Sequence, residues 1–309
     1  MNRLAAASLA LGLGLPALAA AAPVTYRSIT VDGVQIAYRE AGDASKPTLL
    51  LLHGVPSSSR MYDALMRRLG SRYHLVAPDY PGFGNSEAPD PSRYAYTFDH
   101  LALTMQQFTD ALGLHHYTLF MQDFGAPVGM RLAIARPQAV QALVFQNGNV
   151  YEEGLGVMWE KRRPFWANRA AHEQEIITAH QSVAVTRARH VGTDPDVEAY
   201  DPDLWMDEHA YLNRPGQARI QADLLFDYQH NLAAYPRWQA WLRQKQLPTL
   251  VLWGRYDPSF LVPGAEAFRR DNGKADVHIL DGGHFVMDTK LDDVVALTDT
   301  FMQSMASAR

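Results

Sequence analysis

The chain of 309 residues contains no cysteine. That single absence excludes disulfides, cysteine-ligated zinc and thiol nucleophiles together. Nor does any Lys/Arg-rich run stand out. Lys and Arg total 28 against 33 Asp and Glu, for a net charge of −5, so the electrostatic footprint of a nucleic-acid binder is missing. No internal repeat, low-complexity tract or linker interrupts the chain. No group of His, Asp and Glu has metal-ligand spacing, so neither a metal nor another cofactor is expected. What remains is ordinary globular composition, 47% hydrophobic and 20% charged, with ample length for a large core.

The first 22 residues stand apart. Arg3 gives a positive start, Leu4 to Ala22 is nearly all Ala, Leu and Gly, and small residues crowd the end before Pro23. The pattern predicts a secretory signal peptide over 1–22, with the mature protein periplasmic or secreted and no membrane partner after cleavage. An uncleaved anchor is the other reading. The Ala/Gly richness and Pro16 speak against a stable span.

Two strand-like runs, Val24–Val31 and Val34–Arg39, flank Asp32-Gly33, a strong hairpin signal. Six unalternating apolar runs follow: Thr48–Leu52, His74–Pro78, Tyr117–Met121, Ala142–Phe145, Thr249–Trp253 and Val277–Leu280. Strands of that kind are buried on both faces, as in a parallel sheet covered by helices. Amphipathic stretches alternate with them: Met61–Leu69, Phe98–Leu112, Val128–Ala135, Gly264–Arg270 and Leu291–Met305. The order predicts a doubly wound α/β fold. From about residue 150 to 245 the rhythm stops and an aromatic-rich helical segment intervenes. The division expected is a core of residues 23–149 and 246–309, with 150–245 as a cap over the carboxyl ends of the strands, where such sheets bind ligands.

The chemistry-bearing clusters each fall just after an apolar run. In order they are His53-Gly54-Val55-Pro56, Asp79-Tyr80-Pro81-Gly82-Phe83-Gly84-Asn85-Ser86, Gln122-Asp123-Phe124-Gly125, Gly254-Arg255-Tyr256-Asp257-Pro258 and Gly282-Gly283-His284-Phe285. Over nearly the whole mature chain this set resembles the α/β-hydrolase superfamily, in its epoxide hydrolase and haloalkane dehalogenase branch with an Asp nucleophile. The resemblance implies an α/β-hydrolase fold, a mostly parallel central sheet with helices on both faces and a helical cap.

At the centre is a strand-to-helix elbow. Asp123 stands where a serine is usual, with the small Gly125 two positions on. A carboxylate there attacks an sp³ carbon bearing a leaving group and gives an alkyl-enzyme ester that water then hydrolyses. An Asp at such a position is otherwise a helix N-cap, and it is the partners that favour the nucleophile. His284 is expected to be the base and Asp257 the acid that orients it, in the chain order of the superfamily. The amides of Val55 and Phe124 match the positions that stabilise the oxyanion. Met121, two before the nucleophile, is larger than the elbow pattern prefers. Pro56 is expected to follow a cis bond, as in the resembling families. Ser86, in a sequence that mimics a serine elbow, reads as structural because a Pro-Gly-rich loop precedes it.

What separates the two branches is the stabilisation of the leaving atom. Dehalogenases of the resembling kind cradle halide with side-chain N–H groups after the nucleophile and after the His-Gly, and the haloacetate branch carries Arg after the nucleophile. Here those positions are Phe124 and Val55, which donate nothing from their side chains. Epoxide hydrolases protonate the opening alkoxide with cap tyrosines. Tyr228, which lies 29 residues ahead of Asp257 (257 − 228 = 29), matches one of them, whereas Phe165-Trp166 stands where the first is expected. Packed aromatics on an amphipathic helix would look the same. Trp166, Phe165, His53 and Pro56 are expected to contact substrate, with Trp166 able to donate one N–H to a halide. The expectation is a monomeric or homodimeric hydrolase that converts a small hydrophobic epoxide to a diol. A haloalkane or haloacid dehalogenase with the same triad is the alternative. A non-catalytic binding protein on the same fold is the third reading, disfavoured because a binder has no use for a complete relay.

Overall fold

In the hairpin at the start of the sheet, Asp32 and Gly33 both have positive φ, 54° and 70°. That is the geometry a two-residue turn needs to match the twist of its flanking strands. The computed structural model describes residues 21–307, so the expected signal segment lies outside the described residues but for its last two. The hairpin joins β1 (Val24–Val31) to β2 (Val34–Ala41), with Val31 opposite Val34. Next come β3 (Thr48–Leu52), α1 (Asp63–Leu69), β4 (His74–Pro78), α2 (Phe98–Ala111), β5 (Tyr117–Gln122), α3 (Gly125–Ala135) and β6 (Val140–Gln146).

The eight strands lie in the order β1-β2-β4-β3-β5-β6-β7-β8, where β7 is Thr249–Gly254 and β8 is Ala275–Leu280. Only the pairings of β1 with β2 and of β2 with β4 are antiparallel. The doubly wound reading of the apolar runs is visible inside a single strand. Leu50 and Leu52 of β3 point into the core beneath α2 and α3, while Leu49 and Leu51 point into the core with residues of α1 and the C-terminal helix α12 (Met287–Ser307). Each fully buried leucine contributes roughly 2 kcal/mol, so neither face of the strand is expendable. β8 departs from the expectation of two buried faces. It is the edge strand, has one neighbour only, and its residues are mostly half-exposed.

Between β6 and β7 the chain is helical: α4 (Val157–Glu160), α5 (Arg163–Ala167), α6 (Arg169–His180), α7 (Val183–Val191), α8 (Asp203–Leu212), α9 (Gln217–Asp227) and α10 (Gln229–Lys245), with α11 (Val262–Asp271) following β7. These helices are pinned to the core by polar contacts. Arg214 Nη1 and Gln217 Nε2 donate to the carbonyls of Gly84 and Gly82, Arg131 Nη1 donates to Asn231 Oδ1, and the Phe98 amide donates to Asp227.

Candidate active site

The turn from β5 into α3 carries Asp123 at φ 47°, a left-handed conformation that a residue with a side chain adopts only when its surroundings compel it. Two glycines make the turn possible. A Cβ on Gly125 would collide with the carbonyl of Leu52, and one on Gly54 with the side chains of Gln122 and Asp123. The large Met121 is accommodated by a third: Gly129, one turn into α3, leaves the space that its thioether occupies.

Asp123 is buried, and the Val55 amide donates to its Oδ1 at 2.8 Å. Burial pushes its pKa up, against the charge of His284, the amides of Val55 and Phe124, and Arg189, all of which favour the carboxylate. The Val55–Pro56 bond is cis. The other carboxylate oxygen, Oδ2, lies 3.7 Å from Nε2 of His284.

His284 comes from the loop between β8 and α12. Its Nδ1–H donates to Asp257 Oδ2 at 2.7 Å, since a carboxylate can only accept. In the neutral ring Nε2 is then the free base, and the Gln122 side-chain amide lies 3.0 Å from it. Burial alone would depress this imidazole. The carboxylates of Asp257 and Asp123 outweigh burial and raise its pKa above the usual range. Asp257 is saturated with donors: besides His284 it accepts from Asn147 Nδ2 at 2.7 Å and from the amides of Ser259 and Phe260 at 2.7 and 3.1 Å. Asn147, at φ 45° just past β6, also accepts from the Gly254 amide and so ties the acid's loop to its own strand end. The chain order of motifs held no sign of Asn147, because its role depends on β6 and β7 being neighbours.

Tyr228 sits at the junction of α9 and α10, fully buried, its ring 5.8 Å from Phe124 and 5.5 Å from Phe98. Its hydroxyl makes no well-aligned hydrogen bond, although Tyr235 stands beside it. Burial, then Tyr235 and Asp123, hold its pKa well above the usual phenol range. Tyr235, seven residues on along α10, is a second buried tyrosine hydroxyl here, and no motif in the sequence marks it among the aromatics of the segment. Two turns of helix put it on the same face as Tyr228.

Other expected residues play different parts. Trp166 is half-buried and its indole N–H donates to the Leu225 carbonyl at 2.8 Å, so it ties α5 to α9 and has no donor left for a ligand. Phe165 is packed against Phe226. His53 is sandwiched between Tyr80 and Phe83 beneath the loop, with Nδ1 against the Gly54 carbonyl and Nε2 accepting the Tyr80 amide. It is a packed loop residue rather than an open contact surface. Pro56 lines a cleft of about 260 Å³ between the cap helices and the Gly82–Gly84 loop. Ser86 is structural as expected, its hydroxyl donating to the Asp79 carbonyl and accepting from the Ala37 amide.

Comparison with known proteins agrees with this architecture. Residues 47–291 match the family model described as the alpha/beta hydrolase fold. An uncharacterized hydrolase of Saccharomyces cerevisiae is 38% identical over 279 residues, covering 89% of this chain and 94% of its own. Haloalkane dehalogenase 2 of Mycobacterium tuberculosis is 27% identical over 274 residues, covering 82% and 87%. Human epoxide hydrolase 4 is 27% identical over 262 residues, covering 78% of this chain and 67% of its own.

Proposed function

The chain is a hydrolase of the α/β-hydrolase family, and from that premise we propose that it opens an epoxide to a diol through an ester formed on Asp123. The observation that carries this reading is the Tyr228 hydroxyl, buried in the wall beside Phe124 with no well-aligned bond of its own. Its neighbour is the Tyr235 hydroxyl, and an alkoxide leaving group needs a donor of this kind.

The steps follow from the geometry. Oδ2 of Asp123 attacks an epoxide carbon while Oδ1 is held by the Val55 amide. The ring C–O bond breaks, and the released oxygen takes the Tyr228 proton. His284 Nε2 then removes a proton from water, and the resulting hydroxide adds to the ester carbonyl carbon of Asp123. The amides of Val55 and Phe124 face the oxyanion so formed. Collapse breaks the ester bond, releases the diol and restores the carboxylate. The proton held by His284 returns to Tyr228 through solvent.

Carbon–halogen cleavage fits less well. The indole N–H groups of Trp166 and Trp159 are spent on the carbonyls of Leu225 and Ser259, which leaves a halide without the tryptophan donors of the dehalogenase branch. The relatives named for each activity stand at equal identity and do not discriminate.

Attack on carbon needs no base, while hydrolysis of the ester does. Intact-mass measurement of His284→Ala incubated with epoxides is therefore expected to show one substrate mass added, on the peptide containing Asp123. Turnover by the wild type with no adduct on the variant would overturn the covalent route.

A further inference from the structure

Two guanidinium groups sit where an apolar cap alone would not need them. Arg162, just before α5, and Arg189, on α7, are only 8% and 5% exposed, and among the described residues neither has a carboxylate within ion-pair distance. Arg189 Nη2 rests on Nδ1 of His180 at 2.7 Å, and its Nη1 has no hydrogen-bond partner. His180 supplies no negative charge. Its other nitrogen faces Gln221 Oε1, and burial together with the two arginines keeps the ring neutral. The Arg162 guanidinium lies 4.6 Å over the Trp159 ring, which packs in turn at 4.3 Å on Tyr228. Nearby Glu208 is already bound to His190 at 2.8 Å.

Asp123 is the carboxylate whose charge acts on both arginines, with Glu208 acting on Arg189 as well, and the reaction removes the Asp123 charge when the ester forms. With His284 protonated against Asp257 that pair is neutral and the two guanidinium groups are left without an opposite charge; with His284 neutral, as ester hydrolysis requires, Asp257 is the one opposite charge that remains. Buried cations short of opposite charge are strongly unfavourable unless a ligand brings the counter-charge. Before reaction, with the His284–Asp257 pair neutral, the chamber carries a surplus of one positive charge, which a monoanion balances and a dianion exceeds. Two guanidinium forks also suit the planar, bidentate geometry of a carboxylate.

We propose that Arg162 and Arg189 form an anion-recognition site in the reaction chamber, and that the substrate is an epoxide with a carboxylate at the end of an apolar stem. The inference rests on the ring-opening reading above and names its substrate class. It refines the expected small hydrophobic substrate: the aromatic wall takes the stem and the arginines take the head. Gln221, which holds His180 and through it Arg189, also lines the cleft beside Pro56 and Gln217.

Calorimetry with hexanoate, 1-hexanol and hexyl phosphate probes the site without chemistry. Hexanoate is expected to bind the wild type, with hexanol and hexyl phosphate at least about tenfold weaker, the scale of a hydrogen bond to a charged group. Arg162→Gln and Arg189→Gln should each lose about tenfold in hexanoate affinity, and Arg189→Lys should retain part of it. In steady state, the terminal epoxide of hexanoate should exceed its primary amide in kcat/KM by about tenfold or more, through KM, and the Gln variants should abolish that preference. Wild type binding hexanol as well as hexanoate, with acid and amide turned over equally, would overturn the anion site while leaving ring opening intact. Tighter binding of hexyl phosphate would overturn the choice of a carboxylate. Hexanoate binding with no epoxide ever alkylating Asp123 would instead sink the ring-opening reading and leave the site standing.

Discussion

His284 is poised between two carboxylates of different fate. In the mechanism proposed above, Asp257 keeps its charge throughout, whereas Asp123 loses its charge on becoming an ester. Burial depresses the imidazole in both states, and Asp257 and Asp123 together raise it above its ordinary value in the free enzyme. Removing the Asp123 charge takes away one of the raising influences and leaves burial and Arg189 opposing it, so the pKa must fall in the intermediate. The base works only when neutral. Ester hydrolysis in single turnovers is therefore expected to rise with pH through a lower pKa than the one an NMR titration of the free enzyme finds for His284. Coincident values would mean that the Asp123 charge does not reach the ring.

At the scale of elements, the junction of α9 and α10 sets Tyr228 against Phe98 and Phe124, and α5 is tied to α9. Trp166 and Tyr228 differ in their polar groups: one spends its N–H on the Leu225 carbonyl, the other holds its hydroxyl beside Tyr235 with no well-aligned bond. Tyr228→Phe keeps the ring and its contacts with Phe98 and Phe124, and should slow alkylation of Asp123 by about 10²-fold or more, the usual contribution of a positioned acid. Trp166→Phe should leave alkylation within a few-fold. It should lower stability by about 1–3 kcal/mol, because the Leu225 carbonyl loses its partner. Stopped-flow single turnovers and denaturant titrations separate the two effects. A Trp166 variant that loses alkylation more than the Tyr228 variant, together with halide release outpacing every epoxide, would move the chain to carbon–halogen chemistry.

Across the whole molecule, the cap is fastened next to the catalytic loop by an ionic cluster. His190, at the end of α7, bonds Glu208 of α8 at 2.8 Å and Asp288 of α12 at 2.7 Å, and it stacks on Phe285. Its carbonyl abuts Gly283, where any Cβ would collide with it. Burial opposes protonation, but the two carboxylates push His190 up to about 10. The folded pKa thus lies above the unfolded one near 6.5. The stabilisation is full below about pH 6.5 and is lost as pH rises toward 10. Wild-type unfolding free energy should fall across that window. His190→Gln should start about 3–5 kcal/mol lower, with two carboxylates left unpaired, and should show a flatter pH dependence. Equal slopes in denaturant titrations at several pH values would count against the cluster.

Much of this protein was legible in its residue order because the determining interactions are local or periodic. The hairpin is written in Asp32-Gly33, the strands in runs with no polar alternation, and the elbow, the acid and the histidine in motifs that each follow a strand. Composition alone removed cysteine chemistry. Other features depended on which segments become neighbours. Asn147 holds Asp257 only because β6 lies beside β7, and Met121 fits only because Gly129 returns one helical turn later. Trp166 resembled a ligand donor until α5 packed on α9 and its N–H met a backbone carbonyl. No motif marks Arg162 and Arg189, which stand 27 residues apart (189 − 162 = 27). Burial, and the absence of a nearby carboxylate partner for either, are properties of the closed chamber, which no local pattern records. That is why the proposed chemistry follows from the order of residues along the chain, whereas the proposed charge of the substrate rests on the packed fold.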